Sequence, residues 1–197
     1  MLLRCIIVLC LLSYAVCGQQ VGQPEIKDQD QLVAAFISAC HADLSCSRNL
    51  LDFHKDLVSP ELWQQIISMA DYRAIDPPAA YQLALEISTR LNNKRLSGLT
   101  HYKIGWYQFG EGKIADAIAS YSKSKLLLED AQARRDLIYV LADLGTLNIF
   151  AADYVKAYQF SEESLAVAEQ FKGSKTWGMS PDEAAITKRH DSIFNSR

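Results

Sequence analysis

The chain has 197 residues, of which 49% are hydrophobic and 22% are charged, with a formal net charge of -3. This composition is that of a globular protein and excludes collagen-like or broadly disordered classes. No run of Lys and Arg forms the basic stripe that phosphate neutralisation requires, so the sequence predicts no nucleic-acid partner.

The N-terminal segment, residues 1–18, differs from the rest of the chain. Arg4 supplies a positive charge, and residues 5–16 form an apolar run with Ser13 and Tyr14 as its mild exceptions. This layout predicts a secretory signal peptide over residues 1–18, cut after Cys17 or Gly18, and therefore a periplasmic or extracellular protein. The apolar run is shorter than the roughly 20 residues of a spanning helix, so we expect no transmembrane span.

Two other interpretations of this segment stay open. Acylation of Cys17 would make the chain a lipoprotein, but Tyr14-Ala15-Val16 is a poor lipobox because Leu is usual at the first of these positions and Gly or Ala at the last. The segment would alternatively be a buried N-terminal helix of the fold.

Export leaves Cys40 and Cys46 as a pair in an oxidising compartment. They flank a plausible turn between two short helices, which favours a disulfide between them over two free thiols. Cys40, His41 and Cys46 give three ligands within seven residues, which is poor tetrahedral spacing, so we expect no metal site.

The segments after the signal peptide are predicted to be helical. Residues 19–29 are a polar, flexible leader, and residues 30–57 are a helical lead-in pair with apolar residues at helical spacing. Ser59-Pro60 predicts a helix start, and Asp76-Pro77 predicts another. No stretch shows the sustained alternation of a strand, so the sequence predicts an all-α fold.

The second half of the chain repeats itself with a constant offset, from position i to position i+40. Gly105 and Gly145, Ala117 and Ala157, and Ser124 and Ser164 are related by this offset, as are Ile104 and Leu144. Small residues therefore recur where helices must approach closely.

These positions resemble tetratricopeptide (TPR) repeats, whose signature is a Leu-Gly pair, a turn, and then Ala and aromatic positions. The resemblance covers about residues 58–172, in copies at about 58–92, 96–130 and 136–171. The 40-residue period is similar to that of the repeats that precede caspase-like CHAT domains in bacterial proteins. The resemblance implies a right-handed α-solenoid of stacked antiparallel helix pairs. The first copy departs from the pattern, with Gln65 in place of Gly and Pro77 in place of Ala.

The resemblance also implies a concave groove lined by the first helix of each pair. The groove positions are Leu99, Tyr102, Trp106 and Phe109 in one copy, and Tyr139, Ala142, Thr146 and Ile149 in the next. Their aromatic character favours binding of an extended peptide or a partner helix of unknown identity. The alternative is that Trp106 and Phe109 pack against the next repeat.

The stretch Gly110-Glu111-Gly112-Lys113-Ile114-Ala115 fits the glycine spacing of a dinucleotide-binding turn, but a helical pattern precedes it where a strand is required. We therefore interpret it as a turn between helices. The four His are scattered and no nucleophile motif is present, so we expect a non-catalytic protein without cofactors.

Ser180-Pro181-Asp182-Glu183 predicts one more helix, over residues 180–195. Its apolar residues would cap the stack, dock on a partner or support self-association. The leading functional hypothesis is an exported, non-catalytic TPR scaffold. The alternative is an accessory or truncated regulatory part of a larger CHAT-type protease-like assembly.

Overall fold

The structure, a computed structural model, describes residues 26–40, 44–72 and 75–170, with the backbone alone at 39 and 40. The described residues are helical and include no strand, which confirms the all-α prediction. They belong to two compact units, Met1–Asn92 and Asn93–Arg197. The predicted signal peptide over residues 1–18 and the predicted helix over residues 180–195 lie outside the described residues.

The described part of the first unit holds four helices: α1 (Gln29–Ala35), α2 (Leu44–Phe53), α3 (Pro60–Asp71) and α4 (Pro77–Arg90). A π-helical turn, Phe36–Cys40, follows α1, so the predicted lead-in helix changes its hydrogen-bonding pattern before it ends. A 3₁₀ turn, Lys55–Leu57, follows α2.

Side-chain caps begin α3 and α4, where the sequence predicted helix starts. Ser59 Oγ accepts a hydrogen bond from the Leu62 backbone N–H at 3.2 Å, and Asp76 Oδ2 accepts one from the Ala79 N–H at 3.1 Å. Each cap satisfies one of the N–H groups that the first turn of a helix leaves without a partner.

The first unit is held together by an apolar core and by ion pairs between α2 and α4. Arg48 Nε lies 3.1 Å from Glu86 Oε2, and Arg90 Nη1 lies 2.7 Å from Asp52 Oδ1. Cys46 on α2 is disulfide-bonded. The Cys40 side chain is outside the described residues, so the pairing of Cys40 with Cys46 stays a prediction. The buried core of the described part comprises Leu32, Val33, Ala35, Phe36, Leu51, Leu62, Trp63, Ile66, Ile67, Ala70, Ala80, Tyr81, Leu83, Ala84 and Ile87.

The second unit is more regular than the first. Its described helices are α5 (Lys94–Gly110), α6 (Ile114–Asp130), α7 (Arg134–Phe150) and α8 (Tyr154–Glu169). They begin at positions 94, 114, 134 and 154, which are evenly spaced along the chain. The three connections each have three residues, so the 40-residue period of the sequence is the length of one helix pair with its turns.

A residue with left-handed backbone closes each helix from α4 to α7. Asn92, Gly112, Gln132 and Ala152 have φ angles of 48°, 74°, 53° and 60°, and they follow the same even spacing as the helix starts. In the Gly112 turn, the Lys113 N–H donates to the Gln108 carbonyl at 2.9 Å and the Gly112 N–H donates to the Phe109 carbonyl at 2.9 Å. This is the Schellman arrangement that ends a helix. The glycine-rich stretch at residues 110–115 is therefore the turn between α5 and α6.

Consecutive helices in this unit form antiparallel pairs that approach closely at small residues. A Cβ atom added to Gly105 would lie 2.8 Å from Tyr121 Cδ1 and 3.2 Å from the Ala117 carbonyl oxygen. One period later, a Cβ atom on Gly145 would lie 3.0 Å from Ser161 Oγ and 3.3 Å from the Ala157 carbonyl oxygen.

Two serines repeat the same relation between the paired helices. The Ser124 hydroxyl donates to the Gly98 carbonyl at 2.8 Å, and the Ser164 hydroxyl donates to the Ile138 carbonyl at 3.1 Å. Each bond spans 26 residues and crosses from the second helix of a pair to the first. The two pairs are therefore built on the same contacts.

We expect Gly105→Ala to destabilise the protein by about 1–2 kcal/mol. The added methyl group overpacks against the buried Tyr121 ring, and this cost exceeds the roughly 1 kcal/mol gained from the helix propensity of Ala. Gly110→Ala is the matched control, because nothing lies within 4 Å of a Cβ atom there. Urea unfolding of both variants measures the difference; a Gly105→Ala variant as stable as the Gly110→Ala variant contradicts the close approach.

A reciprocal pair of substitutions tests the turn backbone. Ala152→Gly removes a left-handed Ala and is expected to stabilise the protein by up to about 1 kcal/mol, after the greater unfolded-state entropy of Gly is subtracted. Gly112→Ala introduces the same strain and is expected to destabilise by a similar amount. Thermal unfolding measures the change in stability of each variant. Changes of the same sign in both variants would contradict a left-handed residue at both positions.

Candidate functional site

The eight predicted groove residues lie on α5 and α7, one set a repeat period after the other, but the structure places the two sets in different environments. On α5, the side chains of Leu99, Tyr102 and Phe109 are half-buried and pack against the core of the second unit. Trp106 is the exception, since 57% of its surface is exposed.

The core that covers the α5 positions is formed largely by α6 and α7. Its buried members are Ala117, Tyr121, Leu128, Ala133, Leu137, Val140, Leu141, Leu144 and Leu147. Phe109 also meets Phe150 of α7, with ring centroids 5.4 Å apart. Tyr102 and Phe109 thus contact the next helix pair, and for Phe109 this is the alternative that the sequence left open.

The equivalent positions on α7 are all exposed. Tyr139 is 55% exposed and Ile149 is 56% exposed. Ala142 and Thr146 lie between them and are also exposed, with the Thr146 hydroxyl donating to the Ala142 carbonyl at 3.1 Å. One side of α7 therefore presents a continuous row of mainly apolar side chains to solvent.

The second helix of this pair continues the exposed surface. Tyr158 and Leu165 on α8 are 65% and 59% exposed, although Ile118, one period before Tyr158, packs on the core. We name the surface formed by Tyr139, Ala142, Thr146, Ile149, Tyr158 and Leu165 the α7–α8 face. One period earlier, the equivalent surface of α5 and α6 packs against the α7–α8 pair.

Polar contacts between described residues fasten the α7–α8 pair onto the α5–α6 pair, and in the following ones the donor lies on the earlier pair. Arg95 Nε donates to Asp136 Oδ2 at 2.6 Å, and the Tyr102 hydroxyl donates to Asp143 Oδ2 at 2.8 Å. On the second helices, Lys125 Nζ lies 2.9 Å from Glu163 Oε1.

A small group of polar aromatics surrounds the Tyr102 contact. The rings of Tyr102 and Tyr121 have centroids 5.2 Å apart. Burial, and after it the hydrogen bond to Asp143, raises the pKa of Tyr102 well above its ordinary value. Burial and then the charge of Asp143 do the same to the pKa of Tyr121. Both hydroxyls therefore stay protonated at physiological pH, and Tyr102 acts as a donor in a fixed direction.

No family model, curated protein or solved structure matches the chain.

The described residues also bear on metal binding, on membrane crossing and on the charge of His101. Within them, no group of three or more His, Cys, Asp or Glu side chains is arranged to hold a metal ion. None of the helices in the described ranges has the length and apolarity needed to cross a membrane. Burial first, and the charge of Lys123 second, lower the pKa of His101 to about 4, so this imidazole is neutral at physiological pH.

Sequence reasoning missed the part of the surface that α8 contributes, and also the polar contacts between pairs. Tyr158 and Leu165 have helical spacing, which in itself predicts a buried stripe, but no described helix follows α8 to cover them. The contact partners Tyr102 and Asp143 are 41 residues apart, as are Arg95 and Asp136. A search for donor and acceptor residues separated by one period plus one would have found both.

We expect the Tyr102–Asp143 hydrogen bond to contribute a coupling energy of about 1–2 kcal/mol, because its acceptor is charged and its donor is half-buried. A double-mutant cycle with Tyr102→Phe and Asp143→Ala measures this value from urea unfolding.

The control cycle uses the exposed pair Lys94–Asp130, whose side chains are 55% and 58% exposed. Its coupling energy is expected to stay below about 1 kcal/mol. If the Tyr102–Asp143 pair couples no more strongly than this control, the hydrogen bond does not fasten the two helix pairs.

Proposed function

We propose that this protein is an exported, non-catalytic scaffold of the TPR type, a right-handed α-solenoid that binds a peptide or a helix of a partner protein. The support for the TPR type is the repeated geometry of the second unit. Its helices start at even intervals along the chain, and its small residues recur with the 40-residue period at the close approaches. Such regular helix pairs leave shaped surfaces that bind extended partners.

Export is supported by the predicted signal peptide over residues 1–18 and by the disulfide at Cys46, since disulfides persist in oxidising compartments. The proposed binding of a protein or peptide would therefore take place in the periplasm or outside the cell.

The observation that carries the binding proposal is the exposure of the α7–α8 face. It offers two tyrosines and two large aliphatic side chains, each more than half exposed, on two adjacent helices. Contiguous apolar patches on a soluble surface mark interaction sites, and tyrosine is enriched among the residues that dominate binding energies. Trp106 of α5 is an exposed aromatic one period before Thr146 and extends the predicted groove.

The experiment is a selection of displayed random peptides on the immobilised full-length protein. Peptides with apolar residues at i, i+3 or i+4, and i+7 are expected to be enriched, because such a stripe fits a row of exposed residues along a helix. The doubly substituted variant Tyr139→Glu/Ile149→Glu is expected to lose at least about tenfold in affinity, as truncation at binding hot spots does.

Leu126→Glu is the matched control. Leu126 is 64% exposed on α6. Neither Leu126 nor its counterpart one period later, Ala166, belongs to the α7–α8 face. This variant is expected to bind the selected peptides with unchanged affinity. No enrichment on the wild-type protein, or equal binding by the Tyr139→Glu/Ile149→Glu variant, would overturn the proposal.

A further inference from the structure

Two carboxylates of the α7–α8 pair are neutralised by cations of the α5–α6 pair. Asp136 Oδ2 lies 2.6 Å from Arg95 Nε, and Glu163 Oε1 lies 2.9 Å from Lys125 Nζ. A third carboxylate at the same boundary, that of Asp143, has no Lys or Arg at ion-pair distance among the described residues. Its negative charge is therefore not compensated by a neighbouring cation of the described part of the chain.

One oxygen of the Asp143 carboxylate is used within the protein, and the other is open to solvent. Oδ2 accepts the hydrogen bond from the Tyr102 hydroxyl at 2.8 Å, which fixes the orientation of the group. Oδ1 has no hydrogen-bond donor among the described residues, and it is not one of their fully buried polar atoms. A donor from outside the protein can therefore reach Oδ1.

Exposed aromatic side chains flank this carboxylate on both helices. Trp106 follows Tyr102 by four residues on α5, and Tyr139 precedes Asp143 by four residues on α7, so each ring lies one turn from its neighbour on the same side of its helix. Both rings are more than half exposed. Burial and then Asp143 raise the pKa of Tyr102, and Tyr139 adds to this electrostatically, so the two phenol groups lie near each other.

We propose that Asp143, Trp106 and Tyr139 form a subsite for the guanidinium group of an arginine side chain in the bound peptide. The inference rests on the proposed function and deepens it, because it names a side chain that the partner supplies. Tyr139 also belongs to the α7–α8 face, so a peptide bound to that face reaches Asp143 within one helical turn.

The chemistry of the subsite fits a guanidinium group better than an ammonium group. A guanidinium is planar and weakly hydrated, so it donates to a carboxylate oxygen such as Asp143 Oδ1 while its faces stack on aromatic rings. An ammonium group is a compact, strongly hydrated charge with three donors, and one accessible carboxylate oxygen leaves most of these donors to water.

The packing of the repeat does not require this combination of side chains. One period earlier, Leu99 stands in the place of Tyr139, and Lys103 stands in the place of Asp143. One period later, Thr146 stands in the place of Trp106. Because the residues that form the close approaches recur and these do not, the aromatic rings and the carboxylate are a local feature of the boundary between α5 and α7.

The test extends the selection of displayed peptides on the full-length protein. The enriched peptides are expected to share an arginine at a fixed position relative to their apolar stripe. One of them is then synthesised with citrulline in place of this arginine, which keeps the shape without the charge, and with lysine, which keeps the charge without the planar group. Both changes are expected to weaken binding to the wild-type protein about fivefold.

Substitutions in the protein complete a double-mutant cycle with the peptide. Asp143→Asn is expected to weaken binding of the arginine peptide about fivefold and to leave the affinity for the citrulline peptide unchanged. The Asn side chain keeps an oxygen that accepts from the Tyr102 hydroxyl, so the contact between the helix pairs is retained. Trp106→Leu is expected to weaken binding of the arginine peptide about two- to fivefold, and more than that of the citrulline peptide.

Asp116→Asn is the matched control. It removes the same charge from an exposed position in the first turn of α6, away from the boundary between α5 and α7. This variant is expected to bind the arginine and citrulline peptides as the wild-type protein does.

The outcomes separate this inference from the proposed function. Enriched peptides without a shared arginine, equal affinities of the arginine and citrulline peptides, or an equal loss for both peptides on Asp143→Asn would overturn the subsite and leave the proposed function standing. A lysine peptide that binds as tightly as the arginine peptide would overturn the assignment to a guanidinium group. If no peptide is enriched on the wild-type protein, both the proposed function and the subsite are wrong.

Discussion

The regularity of the second unit depends on the way each helix ends. Evenly spaced residues with positive φ each reverse the chain within a three-residue connection, so that helices of nearly equal length return along one another. The Schellman hydrogen bonds, such as the one from the Asp153 N–H to the Asn148 carbonyl at 2.8 Å, satisfy the carbonyls that a helix terminus leaves open. Every other repeated feature, including the close approach at glycines, requires this constant register.

Because the register is constant, the interface between the two helix pairs has a counterpart at the end of the second pair. Tyr102 and Lys125 contribute to the first interface through hydrogen bonds, whereas their counterparts Ala142 and Leu165 are apolar and exposed. The end of the second pair is therefore a modified copy of an interface, with fewer polar requirements.

Much of the fold was predictable from the sequence, because helix caps and small residues leave local signals. Ser59 and Asp76 are the N-caps that predicted two helix starts. The 40-residue offset between Gly105 and Gly145 predicted that the paired helices approach each other closely at both glycines. The turns were less predictable, since Gln132 and Ala152 adopt left-handed backbone without being Gly or Asn. The surface that we propose for binding was predicted only in part. Whether an apolar stripe is buried or exposed depends on the presence of a following helix, and spacing alone does not report that.

The central claim is that α5–α6 and α7–α8 are two copies of one unit, related by the 40-residue period, and that, as we propose, the second copy acts through the side on which no described helix packs. A crystal structure of the full-length protein tests this most directly. The account predicts that the two pairs superpose at this offset, with the bonds from Ser124 to the Gly98 carbonyl and from Ser164 to the Ile138 carbonyl both present. Pairs that fail to superpose, or a side of α7 at Tyr139 and Ile149 packed inside the same four helices, would contradict it.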